Sequence, residues 1–224
     1  MKSTLRNHGL SLAFTALLLL ALVFQALTGQ ALYNEEAAGS GLPGMSLGEY
    51  VTSSHFTVDV AENWQSEYLQ FLLFILLTVW LLQKGSPESK ELGKAGRESD
   101  RDQKVGAFAL ADSPSWARAG GWRLRIYSRS LGFTMGAIFV LSWLAQLVAG
   151  RSAYNSEQIQ SLHEPLGWLE YAVAPDFWNR TLQNWQSEFL AVGSMVVLSI
   201  YLRERGSPES KPVGEPHAST GVEG

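Results

Sequence analysis

The side chains best equipped for chemistry occur in pairs. Asn63-Trp64-Gln65-Ser66-Glu67 returns 121 positions later as Asn184-Trp185-Gln186-Ser187-Glu188. At helical spacing Asn63, Ser66, Glu67 and Gln70 make a polar stripe, with Trp64, Tyr68 and Phe71 on another face. The second copy repeats this with Asn184, Ser187 and Glu188 against Trp185 and Phe189, although Ala191 replaces Gln70. Two carboxylates set among amides, with Gln25 and Gln146 at similar depth on other helices, could bind a cation or share a proton. Like charge and desolvation would then raise one carboxyl pKa. A plainer structural reading competes. Asn caps a helix, Glu favours its first turn, and Trp64, Tyr68, Trp185 and Phe189 anchor helices at a membrane interface.

A second motif shares the offset. Gly85-Ser86-Pro87-Glu88-Ser89-Lys90 returns as Gly206-Ser207-Pro208-Glu209-Ser210-Lys211. Gly followed by Pro two residues on is a helix stop, and Lys84, Arg203 and Arg205 complement a helix C-terminus. A stop needs only Gly and Pro. The kept Glu-Ser-Lys points to a further contact, either a Ser-capped turn packing beneath a bundle or a cytoplasmic partner site.

Much chemistry is excluded. The chain has no Cys, hence no thiol nucleophile and no thiolate metal site. Its four His lie outside the apolar blocks, and at the repeat offset His55 aligns with Asp176 and His163 with Leu42, which argues against a paired-His haem or metal site. No phosphate-binding or dinucleotide glycine loop occurs. Neither a catalytic set, a cofactor nor a metal is expected, and no nucleic acid.

The apolar residues fall in four blocks, Leu10 to Leu27, Tyr68 to Leu82, Leu131 to Val148 and Phe189 to Leu202, each free of Asp, Glu, Lys and Arg. Each predicts a transmembrane helix. The second and fourth blocks span 15 and 14 residues. Such runs cover roughly 22 Å of a roughly 30 Å core, so their helices must borrow length from the Asn-Trp-Gln-Ser-Glu flanks. Lys2, Arg6 and the basic stretch between Gln83 and Ser130 contrast with a segment from Gln30 to Glu67 that has no Lys or Arg. Both termini and the central linker are therefore expected in the cytoplasm. A cleavable leader is the rival reading of the first block, but that block aligns with the internal one beginning at Leu131, which favours retention.

The expected fold is all-α: a four-helix membrane bundle of two tandem hairpins pointing the same way, with short amphipathic helices in the outer loops. Residues 1–90 form the first hairpin, 91–121 a flexible cytoplasmic linker, 122–211 the second hairpin and 212–224 a disordered tail. Gly132 and Gly136, matched by Ser11 and Thr15, suit close helix packing.

The doubled Asn-Trp-Gln-Ser-Glu-(Phe/Tyr)-Leu and Gly-Ser-Pro-Glu-Ser-Lys motifs resemble a family of small bacterial inner-membrane proteins known only as a domain of unknown function. The resemblance implies a multi-pass plasma-membrane protein and lends no activity. The expected role is structural or partner-binding, with the bilayer, a second copy or another membrane protein as partner. The alternative is a small oligomeric channel or transporter component with an outer cation or proton site at Glu67 and Glu188; an enzyme ranks third.

Overall fold

The computed structural model describes the backbone of residues 2–223 and the side chains of residues 7–223, so the side chains of Lys2 and Arg6, used above for orientation, lie outside the described set. The order of elements is α1 (Lys2–Gly39), α2 (Leu47–Val51), α3 (Ser54–Leu77), α4 (Ser115–Ala119), α5 (Gly121–Tyr127), α6 (Ser130–Gln160), α7 (Trp168–Ala172) and α8 (Pro175–Tyr201), with a 3-10 turn at Gly106–Phe108. No strand occurs among the described residues. Two helical segments, Asn7–Gly39 and Ser130–Gln160, are long and apolar enough to cross a membrane. Only 6% and 11% of their most apolar windows are buried, so neither is the core helix of a globular domain.

The chain divides into two compact units, Met1–Ala61 with Ala145–Tyr171, and Glu62–Leu144 with Ala172–Gly224. In the first, α1 continues well past the apolar block to Gly39, and α6 likewise to Gln160. Each long helix is then tied to the chain that follows. Asn34 donates through Nδ2 to the Met45 carbonyl at 3.0 Å and accepts from the Met45 N–H at 2.7 Å. Asn155 does the same to Leu166, at 3.0 and 2.8 Å. Gln30 and Arg151, one offset apart, each add a bond of 2.8 Å to the same carbonyl.

The short helices follow at once. Ser46 and Glu49 form a reciprocal capping box on α2, whereas Gly167 has no hydroxyl and α7 keeps only the Gly167 N–H donation to Glu170 at 2.6 Å. Tyr50 and Tyr171, both buried, press their hydroxyls onto Gly29 and Gly150, where any Cβ would collide with them. Val58, Ala149 and Ala153 make the small core beside Gly150.

Short helices do stand in the segments between the long ones, as five-residue elements. The rest of each outer segment belongs to α3 and α8, which corrects one reading. Asn63 and Asn184 lie inside helices and cap neither. α3 begins at Ser54, where the Phe56 N–H donates to the Ser53 hydroxyl at 3.3 Å, and Pro175 takes the first turn of α8.

In the second unit, α6 meets α3 through Gly132 and Gly136, whose bare Cα atoms face Leu76 and Leu72. Trp143 stacks on Phe177, with ring centroids 6.0 Å apart and planes 22° apart, and also touches Trp178 and Trp185. α3 ends at Leu77, short of the expected Leu82. Thr78 donates back to the Phe74 carbonyl at 2.7 Å, and the Val79 carbonyl accepts from the Gly96 N–H at 2.7 Å, a non-helical partner for one of the carbonyls beyond the helix end.

Candidate functional site

The residues proposed as one polar cluster divide between the units: Gln25 and Gln146 belong to the first, and both Asn-Trp-Gln-Ser-Glu segments to the second. Within the second unit the copies are used differently. Gln65 and Ser66 are buried, while Gln186 and Ser187 are exposed. The Trp185 indole donates to Gln65 Oε1 at 2.8 Å, and Gln65 Nε2 donates to the Glu62 carbonyl. Asn184 donates to the Arg180 carbonyl at 2.9 Å, and the hydroxyls of Ser66 and Ser187 donate to the carbonyls of Asn63 and Asn184, both at 2.8 Å. These groups therefore serve helix backbones and one helix-to-helix bond. Asn63 and Glu67 are exposed, and Glu188 is half-buried. Gln70 Oε1 is buried and has no hydrogen-bond partner among the described residues. Of the aromatic anchors, Trp64 and Phe189 are exposed, Tyr68 and Trp185 half-buried.

One ion-pair group went unnoticed in the sequence. Arg180 lies 3.3 Å from Glu62 and 3.4 Å from Asp176, one turn before Asn184, and so joins α8 to α3. Arg180 is the sole Lys or Arg between Arg151 and Arg203, which marks it in the sequence.

The Gly-Ser-Pro-Glu-Ser-Lys segments are built alike. Gly85 and Gly206 both turn left-handed at φ 84°, as their glycines require, although α3 and α8 have already ended at Leu77 and Tyr201. Ser86 and Ser207 hydroxyls accept from the N–H groups of Glu88 and Glu209, each at 3.2 Å. Ser89 and Ser210 accept from the N–H groups of Gln83 and Glu204, each at 2.9 Å. Every one of these partners is 121 positions from its counterpart.

The lysines then diverge. Lys90 donates to the Gly96 carbonyl at 3.0 Å and pairs with Glu98 at 2.9 Å. Lys211, 1% exposed, donates to four carbonyls: Gly85 at 2.7 Å, His217 at 2.9 Å, Ser219 at 3.1 Å and Pro216 at 3.2 Å. Burial, then the charge of Arg203, holds its ammonium below the ordinary lysine value. The Gly85 carbonyl belongs to the other copy, so Lys211 ties the two turns together. Residues 212–224 read as disordered by composition, yet the Gly85 N–H donates to the Thr220 hydroxyl at 2.9 Å and the Gly221 N–H to the Ser86 carbonyl at 3.0 Å. A buried ammonium demands acceptors, and the tail backbone supplies them. Glu88 also meets its own counterpart. Burial first, then the charge and hydrogen bond of Glu209, then Glu223, raise the Glu88 carboxyl above its usual range. A cleft of about 430 Å³ opens here, with Pro87, Glu88, Lys90 and Glu98 in its wall. No group of three or more His, Asp or Glu side chains able to hold a metal is present among the described residues.

Fold and site together define an all-helical protein with two helices able to cross a membrane and two repeated turns joined through a buried lysine. A family model described as Domain of unknown function (DUF6766) matches residues 1–222, and the chain belongs to that family. Comparison with curated proteins and with solved structures finds no match.

Proposed function

We propose that the chain is a multi-pass protein of a bacterial plasma membrane with a structural or partner-binding role, built as two tandem hairpins whose termini and linker face the cytoplasm. The observation that carries this reading is Lys211, which binds both repeated turns and the tail into one platform. Residues kept in both copies are spent on holding backbone rather than on reacting. α3 has 24 residues and α8 has 27, of which the stretches from Asn63 to Leu77 and from Asn184 to Tyr201 rise about 22 and 27 Å, so crossing a roughly 30 Å core also takes the chain that follows Leu77 and Tyr201. Pro208 and Glu209 are the exposed edge of the platform offered to a partner. A photo-crosslinking side chain at Glu209 in native membranes tests the role. Protein adducts that vanish in a Lys211→Met background at matched abundance are expected. Lipid adducts alone contradict it.

A second reading is favoured by the buried Gln70 oxygen, which has no hydrogen-bond partner among the described residues: a small oligomeric channel or transporter component with an outer cation or proton site at Glu67 and Glu188. Glu67→Gln with Glu188→Gln should then preserve abundance and abolish ion-dependent flux in proteoliposomes. Loss of abundance, with no flux in the parent, sinks that reading and favours the first.

A further inference from the structure

Between the linker and α6 lies a surface that neither reading has used. Gly120 and Gly121, at φ 66° and 60°, turn the corner from α4 to α5. That corner sets the rings of Trp116 and Trp122 edge to face, with centroids 5.8 Å apart and planes at 73°. Of the two helices only Ala117 is buried, and Trp122 is 62% exposed, with Trp116, Ile126 and Tyr127 exposed beside it. Arg118, Arg123, Arg125 and Arg129 are exposed on the same short stretch. From Ser113 to Ser156 the sequence contains no Asp or Glu. Among the described residues none of these four guanidinium groups is ion-paired; Arg123 lies over the Trp122 ring at 5.6 Å, and Arg118 makes one long bond to the Ala111 carbonyl at 3.4 Å.

Position supplies the occupant. α6 begins at Ser130, directly after α5, and its apolar block starts at Leu131. Arg125 stands six residues earlier, across the turn at Ser128 and Arg129, close enough to reach the headgroups if α6 crosses the bilayer. Planar guanidinium groups bind phosphate oxygens in pairs, and indole rings settle at the boundary between headgroup and hydrocarbon. The chain as a whole is acidic, at −4, so its basic charge is a local feature and not a general one.

We propose that α4 and α5 form a binding surface for acidic phospholipid headgroups of the leaflet that α6 enters. Arg123, Arg125 and Arg129 take the phosphates, while Trp122 and Ile126 rest against the acyl boundary. This surface rests on the membrane reading above and adds the lipid class to it. A basic, apolar segment of this kind binds neutral bilayers weakly and gains with each acidic headgroup it meets.

The absence of Cys allows a clean test on the full chain. A neutral fluorophore is attached at Ile126→Cys, and separately at the exposed mid-helix position Val140→Cys, after reconstitution in phosphatidylcholine vesicles with or without phosphatidylglycerol. Acrylamide quenching at position 126 should fall at least about twofold when phosphatidylglycerol is present. About 0.5 M salt should restore it, and so should Arg123→Gln, Arg125→Gln and Arg129→Gln combined. Equal quenching at position 126 in both vesicles, with position 140 shielded, overturns the lipid surface and leaves the membrane reading intact. Quenching at position 140 like that of free dye overturns the membrane reading itself. Shielding at position 126 that appears only on adding an acidic soluble protein also overturns the proposal, in favour of a protein partner.

Discussion

The two copies of the repeat match around the asparagine clamp and the Gly-Ser-Pro-Glu-Ser-Lys turn, and part at the lysine that closes that turn. Asn34 and Asn155 grip Met45 and Leu166 with matching distances, and Ser89 and Ser210 hold Gln83 and Glu204 identically. Lys90 and Lys211 start from identical motifs and share one bond, to the counterpart carbonyls of Gly96 and His217, but Lys90 otherwise takes the Glu98 carboxylate and Lys211 the carbonyls of Gly85, Pro216 and Ser219. Duplication copies whatever a segment can satisfy alone. It cannot copy what depends on the surrounding chain, and at the Glu98 position the second copy has Ser219. This divergence falls where one copy meets the other, and that is where the proposed platform lies.

The comparison can be broken most sharply at Lys211. Lys211→Met orphans buried carbonyls and should cost about 2–3 kcal/mol, against about 1 kcal/mol or less for Lys90→Met, whose ion pair is partly solvated. Thermal unfolding in detergent measures both, and equal losses would mean the lysines are not used differently. Next come the glycine clamps. Gly29→Ala and Gly150→Ala should each cost about 1–3 kcal/mol by forcing the tyrosine away, and Tyr50→Phe should recover part of the first loss by removing the colliding hydroxyl. Additive losses in that double variant would deny the contact.

Smaller effects sharpen the same contrast. Asn155→Ala, at the more buried clamp, should destabilise by about 1–2 kcal/mol and exceed Asn34→Ala. At Glu88 the sign follows from a folded-state value above the unfolded one. Its contribution to stability is complete below the ordinary carboxylate range and is lost as pH rises through the raised value. Glu88→Gln should therefore flatten that decline and stabilise the protein at neutral pH. A decline unchanged in Glu88→Gln would assign it to another group.

The helices were legible because the unit is duplicated. Gly29, Asn34, Glu49 and Tyr50 recur at one offset, and apolar blocks mark the starts of α1 and α6. What the clamps do was not legible. A helical Gly that repeats together with a Tyr some twenty residues away signals close approach, but only the backbone path shows that they meet. The Asn63 reading failed for a related reason: a capping residue is recognised by where the helix starts, and polar residues before it, from Ser54 onward, were already helical. The bonds from Lys211 to the tail were not legible either, since Gly and Pro content does not record the demand of a buried ammonium for acceptors.

Topology tests the central claim most directly. Single cysteines at Leu162, which is 95% exposed, and at Ser99 in the linker can be challenged with an impermeant thiol reagent on intact cells. Labelling of Leu162→Cys from outside, with Ser99→Cys reached only after permeabilisation, is the predicted result. Labelling of Ser99→Cys in intact cells would contradict two same-facing hairpins with a cytoplasmic linker.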